Sequence, residues 1–300
     1  MRTAFISELI RQAHAHPKLF LVVGDLGFSV VEPFARAFPD RFLNAGVAEQ
    51  NMTGVAAGLA SEGFHVFTYS IANFPTLRCL EQVRNDVCYH QFPVTVVAVG
   101  AGLAYGNLGY SHHGIQDLAV MRAMPHLTLL SPADPGETTE CVQWLVHHPC
   151  ASYLRLGKAG EKTLHEVRGI AAGPLAVRGG KSDVALAATG SVLALALAAA
   201  ERLEQERGWR VPVFSCPWLK PVTREFFAPL WRFRRLVTLE EHLAAGGFGE
   251  LLARLKPDTV ALTSLALSEE ETGLVGSQEF LRRRLGVDVE HVIQAVLSNG

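Results

Sequence analysis

The chain lacks the features that mark several large classes of protein. Only 19% of its 300 residues are charged, and the formal net charge is −2. So weak a charge gives no electrostatic basis for binding nucleic acid or an acidic membrane surface. No apolar run approaches the roughly 18 uninterrupted residues that a membrane-spanning helix needs. Residues 1–16 form an amphipathic pattern that carries Glu8 and Arg11, which is unlike a secretory signal.

Paired cysteines are also missing. The five cysteines show no CxxC spacing, which predicts reduced, packed thiols and a cytoplasmic protein. Hydrophobic residues, in contrast, make up 49% of the chain. Because so few charged residues are present to cover its surface, we expect the chain to bury part of that surface against other subunits.

Short apolar runs alternate with helical stretches along the whole chain. The runs predict strands at 19–23, 64–69, 94–99, 127–130 and 152–156, and again from 184 onwards. Buried parallel strands are continuously apolar, as these runs are. The predicted fold class is therefore α/β, with two domains that each have a mainly parallel sheet and helices on both faces. Among the helices we expect 77–89 and 223–230.

Turn-forming residues divide this pattern into two parts. We place the first domain at residues 1–160, a linker rich in glycine at 161–182, and a second, smaller domain at 183–300.

Glu49 is the first candidate for chemistry. It opens a helix of small and apolar residues, and no lysine or arginine lies between Arg41 and Arg78. Acidic side chains are ordinary at helix starts, so a solvated glutamate is the plain alternative. The apolar helix and the lack of a local cation instead predict a buried carboxylate that holds a proton readily, as functional carboxylates do.

A glycine-rich loop at 100–114 follows the predicted strand 94–99 and contains His112 and His113. Ligands bind beyond the carboxyl ends of strands in open α/β sheets. Two adjacent imidazoles supply proton-transfer and hydrogen-bonding groups near neutral pH. The alternatives are a surface pair or a fortuitous metal site.

Two aromatic and two basic residues lie at or after strand ends. Tyr69 and Phe74 can stack on a planar ring, or they can serve only as core packing. Arg78 and Arg155 can hold an anionic group of a substrate through a fork of hydrogen bonds, or they can form ion pairs at a surface or an interface.

Two further motifs give weaker indications. Glu240, Glu241 and His242 precede a glycine turn at 246–249, which suits an anion at a helix start, a contact with a partner subunit or a plain turn. Gly24-Asp25 with Asn51 has roughly the spacing of a motif that binds magnesium and a diphosphate. Its required third glycine is missing, so we reject that motif.

Three blocks of the chain resemble the C-terminal half of the transketolase family. The first is FPDRFLNAGVAEQN at 38–51, which is similar to the family signature that ends in Ala-Glu-Gln. The second is SHHG at 111–114, similar to the Thr-His-Gln of those enzymes. The third is TLEEH at 238–242 with GGFG at 246–249, which resembles the family's C-terminal domain. The blocks follow in order and span nearly the whole chain.

This resemblance implies a pyrimidine-binding domain followed by a transketolase C-terminal domain, in the beta-type subunit of a split transketolase. The implied cofactors are thiamine diphosphate and Mg²⁺, with the metal held mainly by another chain. The implied partner is an N-terminal transketolase-type subunit that carries the diphosphate and metal site, in an α2β2 assembly. The implied reaction moves a two-carbon ketol unit from a small sugar or sugar phosphate donor to an aldose acceptor.

The resemblance also implies roles for individual residues. Glu49 would hydrogen-bond the pyrimidine ring of the cofactor and promote the tautomer that activates it. Tyr69 and Phe74 would pack on that ring. His112, with His113 beside it, would orient or protonate substrate hydroxyls.

Substrate recognition is less well defined. Arg155 matches an arginine that holds the sugar phosphate in transketolases, and Arg78 is a second substrate-binding candidate. Gly100, however, stands where the family has a phosphate-binding or acidic residue, and residues 103–110 lack the family's acidic pattern. The substrate is thus open between a standard pentose phosphate and a nucleotide-linked or otherwise modified sugar.

Three alternative functions remain at this point. Two are enzymatic: a subunit like deoxyxylulose-phosphate synthase, and the beta subunit of a 2-oxoacid dehydrogenase, which would pass an acyl unit to a lipoyl protein. The third is a non-catalytic regulatory subunit, which the intact Glu49 and His112 disfavour.

Overall fold

The computed structural model describes residues 1–298. Its strands are β1 (Leu19–Val23), β2 (Phe42–Asn44), β3 (His65–Ile71), β4 (Val94–Val99), β5 (Thr128–Leu130), β6 (Ser152–Leu156), β7 (Leu175–Arg178), β8 (Val184–Ala188), β9 (Val213–Ser215), β10 (Trp218–Lys220), β11 (Arg235–Leu243) and β12 (Ala261–Leu267). Its α-helices are α1 (Arg2–Ala15), α2 (Glu32–Ala37), α3 (Glu49–Ser61), α4 (Leu80–Gln82), α5 (Asp117–Ala123), α6 (Pro135–His147), α7 (Leu193–Arg207), α8 (Phe248–Leu255), α9 (Gln278–Arg284) and α10 (Val289–Leu297). Within residues 1–298, no helix combines the length and the apolar character needed to cross a membrane.

The first sheet has seven strands in the order β10-β5-β6-β4-β3-β1-β2. All neighbours are parallel except β10, which runs antiparallel to β5. Every residue of β4 and β6 is buried, as expected for strands covered on both faces. Successive side chains point to opposite faces, so Val66 and Phe67 of β3 lie in different core clusters. Helix α3 contributes to the first cluster, and α1 and α6 contribute to the second.

The order of the strands creates a crevice at the carboxyl edge of this sheet. Strand β1 pairs with β2 on one side and with β3 on the other. After β1 the chain adds β2 on one side of that strand and then β3 on its other side, so the strand order reverses at β1. Open α/β sheets bind ligands at such a reversal. Loops after β1, β2, β3 and β4 all meet at this edge.

The second sheet has five strands in the order β12-β11-β8-β9-β7, and only the β7–β9 pair is antiparallel among the described pairs. Residues of α7, α9 and α10 pack against it in a third core cluster. The predicted fold class, two mainly parallel α/β sheets flanked by helices, is confirmed.

Several predicted elements need correction. Strand β7 lies inside the stretch predicted as a linker, and β10 follows that stretch yet joins the first sheet. Such short edge strands carry too little apolar pattern to stand out in a sequence. The predicted helix at 77–89 is divided into a 3-10 turn, α4 and a π-helical segment at Val83–Cys88. The helix predicted at 223–230 is a 3-10 helix, Glu225–Leu230. It contains Pro229, which has no backbone N–H to donate within an α-helix.

Candidate active site

Glu49 lies at the carboxyl edge of the first sheet, where the chain order reverses. It is the first residue of α3, and its side chain is only 1% exposed. Gly24, directly after β1, faces it. A Cβ built on Gly24 would lie 3.3 Å from Glu49 Cγ and 3.4 Å from Ser70 Oγ. A side chain at Gly24 would therefore crowd the Glu49 carboxylate and Ser70, and glycine avoids that contact.

Both carboxylate oxygens of Glu49 accept a hydrogen bond. Ser70, near the end of β3, donates through Oγ to Oε1 at 3.1 Å. Arg78 donates through Nη1 to Oε2 at 2.7 Å. The expectation that Glu49 is buried is confirmed, but the expectation that it lacks a cation is wrong. Arg78 is 29 positions away in sequence, and the parallel sheet brings the loops after β2 and β3 to the same edge.

Phe74 and His112 complete the group around Glu49. The Arg78 guanidinium lies 4.5 Å from the centre of the Phe74 ring, in a cation–π arrangement. The His112 ring meets Phe74 edge-on, with ring centres 5.3 Å apart. Asn73 connects the two loops, because its side-chain amide donates to the backbone oxygens of Ser111 at 3.1 Å and His113 at 2.9 Å.

His112 is the half-buried imidazole of this group. Its Nδ1 lies 3.0 Å from Ser111 Oγ. Partial burial, and then the charge of the neighbouring His113, lower the pKa of His112 below its ordinary value. The ring is therefore neutral at neutral pH, with one nitrogen able to donate and the other able to accept.

His113, the second predicted catalytic histidine, has a different place. It is 1% exposed. Its Nδ1 lies 3.2 Å from the backbone oxygen of Thr272, and its Nε2 lies 3.5 Å from that of Gly106. The ring thus ties the glycine-rich loop to a segment of the second domain. The structure does not bring it to Glu49.

Tyr69, the first predicted ring-stacking residue, also lies elsewhere. It precedes Ser70 in β3, so its side chain points to the opposite face of the sheet. There it is 1% exposed and stacks on Phe5 of α1 with ring centres 5.8 Å apart. Of the two predicted aromatics, only Phe74 is brought to Glu49.

Arg155, predicted to bind substrate, is enclosed within the protein. Its side chain is 2% exposed, and its Nε donates to Asp117 Oδ2 at 2.7 Å. Its Nη2 donates to Asp117 Oδ1 and to the backbone oxygens of Gly114 and Glu241. Burial opposes ionisation of Asp117, but the charge and hydrogen bonds of Arg155 hold the pKa of that carboxyl below its usual value. The arginine binds the two domains together, so the substrate-binding interpretation is corrected.

The acidic block of the second domain is also interior. Glu241 accepts hydrogen bonds from the Leu103 backbone at 2.7 Å and from Gln278 at 2.9 Å, and it pairs with Arg282. Glu240 caps the start of α8 by accepting from the Phe248 and Gly249 amides. Burial raises the pKa of Glu240 to about 7, although both amide hydrogen bonds lower it. The block serves packing within this chain rather than contact with a partner.

The two polar residues of the rejected magnesium motif have separate surroundings. The Asp25 carboxylate accepts a hydrogen bond from Asn44 at 2.9 Å, and Asn51 lies on the exposed side of α3. Across the described part of the chain, no three His, Cys, Asp or Glu side chains are grouped so that they could hold a metal ion.

Lysines near the end of β6 were missed by the sequence reasoning. Lys158 and Lys162 are exposed and line a cavity of about 340 Å³ between the first domain and the helices α7 and α9. Ala104, of the loop that also carries His112, lines the same cavity. The signal was present, because Lys158 follows the predicted strand at 152–156, beyond the buried Arg155.

Comparison with protein families gives two matches. The model of the transketolase pyrimidine-binding domain matches residues 1–160, and that of the transketolase C-terminal domain matches residues 173–292.

Individual relatives agree with these matches. An apulose-4-phosphate transketolase subunit from Actinobacillus succinogenes is 31% identical over 275 residues, which cover 89% of this chain and 88% of the relative. 1-Deoxy-D-xylulose-5-phosphate synthase 1 of Geobacter sulfurreducens is 35% identical over 272 residues, but these cover only 42% of that enzyme. A solved structure described as a split gene transketolase, inactive beta4 tetramer, superposes with a TM-score of 0.85 at 33% identity, over 98% of this chain and 96% of that one.

Proposed function

Because the chain belongs to the transketolase family, we propose that it is the beta-type subunit of a split, thiamine-diphosphate-dependent transketolase. It moves a two-carbon ketol unit from a sugar phosphate donor to an aldose acceptor. The observation that carries this proposal is the buried Glu49 carboxylate at the strand-order reversal, with Phe74 and His112 within the same crevice.

The residues of the crevice suit the pyrimidine half of the cofactor. When bound, thiamine diphosphate supplies the carbanion and electron-sink chemistry that protein side chains lack. Gly24 keeps a side chain from crowding the Glu49 carboxylate, and Phe74 offers a half-buried aromatic face to a flat ring. Glu49 would hold or move a proton at a nitrogen of that ring. The neutral His112 orients substrate hydroxyls through the ring nitrogen that Ser111 leaves free.

A second chain must complete the site. We assign the diphosphate and Mg²⁺ to an N-terminal transketolase-type subunit, in an α2β2 assembly. Apolar side chains stand exposed on the loops around the crevice, with Phe28 73%, Val47 75% and Leu77 43% exposed. Large apolar side chains at one edge mark an association surface. The split-gene relative forms a beta4 tetramer, and we expect this chain to self-associate likewise when its partner is missing.

The substrate end of the site lies toward the second domain. Lys158 and Lys162 face a cavity bordered by the loop that carries His112, and the part of the chain that the structure describes contains no ion pair for either. Two exposed ammonium groups attract a phosphate ester. We therefore assign to them, rather than to Arg155, the phosphate of the sugar.

A synthase that condenses pyruvate with an aldehyde is the second candidate. It is favoured by the 35% identity to deoxyxylulose-phosphate synthase. The two functions differ in their donor substrate, since only the synthase releases carbon dioxide from pyruvate.

The test is co-expression of this chain with its N-terminal partner, followed by assays of cofactor binding and turnover. We expect ketol transfer from ketose phosphates, no decarboxylation of pyruvate, and loss of turnover by at least about 100-fold in Glu49→Gln. The matched control is Glu62→Gln, which alters an exposed glutamate at the other end of the same helix. Full turnover by the Glu49 variant refutes the mechanism. Tight, magnesium-dependent cofactor binding by this chain alone refutes the need for a partner.

A further inference from the structure

One side chain, Arg78, contacts both residues that the proposed function assigns to the pyrimidine ring, Glu49 and Phe74. Its Nη1 donates to Glu49 Oε2 at 2.7 Å. The same guanidinium lies 4.5 Å from the centre of the Phe74 ring. A guanidinium is flat, bears hydrogen-bond donors at its edge and stacks on aromatic faces. It therefore meets the same two surfaces that a flat heterocycle needs.

The two partners of this contact are more deeply buried than Arg78. Glu49 is 1% exposed and is fixed on its other oxygen by Ser70. Phe74 is half-buried. The side chain of Arg78, in contrast, is 44% exposed, and Glu49 is its one hydrogen-bond partner among residues 1–298. Arginine is long and easily hydrated at its charged end, so it can turn into solvent without disturbing the core.

The contact also has an energetic reason. A buried carboxylate without a partner is costly, because nothing replaces the water that it has lost. Before cofactor and partner subunit arrive, Arg78 supplies the missing partner. The half-exposed position of the arginine means that its own charge loses little hydration in doing so.

We propose that Arg78 is a positioning residue that holds Glu49 and Phe74 in the cofactor-free subunit and leaves them when the pyrimidine ring enters. This inference rests on the proposed function and assigns to Arg78 a role other than substrate binding. Ring and guanidinium compete for Oε2 of Glu49 and for one face of Phe74. The cofactor must break the contact between Arg78 and Glu49 before it binds. The free energy of that contact therefore weakens the free energy of cofactor binding by the same amount.

The test compares cofactor affinity in the assembled complex, titrated with thiamine diphosphate in saturating Mg²⁺ by isothermal calorimetry. Arg78→Gln should tighten the dissociation constant by about 3- to 10-fold, because the ring no longer displaces a charged hydrogen bond. The control, Arg84→Gln, removes an exposed arginine of the same segment and should leave it unchanged. In a Glu49→Gln background, Arg78→Gln should give no tightening, because the charge that holds the arginine is gone.

A second readout uses the free chain. Arg78→Gln should lower its melting temperature by several degrees, whereas Arg84→Gln should not, since only Arg78 neutralises a buried carboxylate. If Arg78→Gln binds the cofactor as weakly as wild type or more weakly, Arg78 is not a competitor and the inference is overturned while the proposed function stands. If the wild-type complex itself binds no thiamine diphosphate, the proposed function fails and the inference fails with it.

Discussion

Replacement of Arg155 by methionine should destabilise the protein far more than the loss of an ordinary ion pair. The change leaves the Asp117 carboxylate, which is 0% exposed, without its cation. Tyr153 still donates one hydrogen bond to Asp117 Oδ2, at 2.5 Å, but the backbone oxygens of Gly114 and Glu241 lose the hydrogen bonds that Arg155 donates to them. Breaking a buried pair in this way costs about 3–5 kcal/mol of the free energy of unfolding.

Urea denaturation of the free chain measures this loss. The matched control is Arg202→Met, which removes an arginine that pairs with Glu206 and Glu290 on the surface. Exposed pairs of this kind are screened by solvent, so the control should unfold at the wild-type urea concentration. Asp117→Asn combined with Arg155→Met should cost less than the sum of the two single changes, because the pair is then removed together.

The opposite result has a clear form. If Arg155→Met unfolds like the control but raises the KM for the sugar phosphate in the assembled enzyme, the arginine binds substrate and our assignment of the phosphate to Lys158 is wrong.

Two further predictions concern pH and assembly. Burial, and then the charge of His16, lower the pKa of His65 to about 4. Acidification from pH 6.5 to pH 4 therefore protonates the unfolded chain first and costs the fold about 3 kcal/mol. The urea midpoint of wild type should therefore fall further between pH 6.5 and pH 4 than the midpoint of His65→Gln. An equal fall of both midpoints would contradict this prediction. Val47 belongs to the exposed apolar residues around the crevice, and Val47→Asp should prevent co-purification with the partner subunit. The control, Trp209→Asp, alters an exposed residue of the second domain and should not prevent it. Equal retention of both variants would show that the partner does not bind around the crevice.

Much of the fold can be predicted because buried parallel strands have a strong local signature. Runs such as Val94–Val99 are apolar at nearly every position, since both faces of the strand are covered. The C-terminal helices α9 and α10 were missed although their signals exist, because Ser277 and Asp288 each cap a helix by accepting from a backbone amide. Strand β10 could not be found in the same way. Its pairing with β5 is set by the position of the second domain on the first.

The candidate site divides along similar lines. Glu49, Phe74 and His112 could be selected from the sequence because each follows a strand and so lies at the carboxyl edge. The prediction for Tyr69 was wrong because successive side chains of β3 point to opposite faces of the sheet. Ser70 points toward Glu49, so Tyr69, one position earlier, points to the other face. The bounds predicted for its strand, 152–156, are those of β6, so Arg155 was misjudged for another reason: it lies inside this buried strand and is only 2% exposed. The first exposed cation beyond the end of the strand is instead Lys158.

The error about Glu49 has a different cause, and it bears on how a divided active site survives before assembly. The lack of a cation near Glu49 in sequence says nothing of the next loop, because a parallel sheet gathers residues at one edge that are separated by a strand and a helix. A half-site that buries a carboxylate must neutralise it from within its own chain until the other half arrives. The neutralising group must also be able to leave, which excludes a buried pair such as Arg155 with Asp117. A half-exposed arginine on the next loop meets both requirements, so the pairing of Glu49 with Arg78 supports the proposed division of the site between two polypeptides.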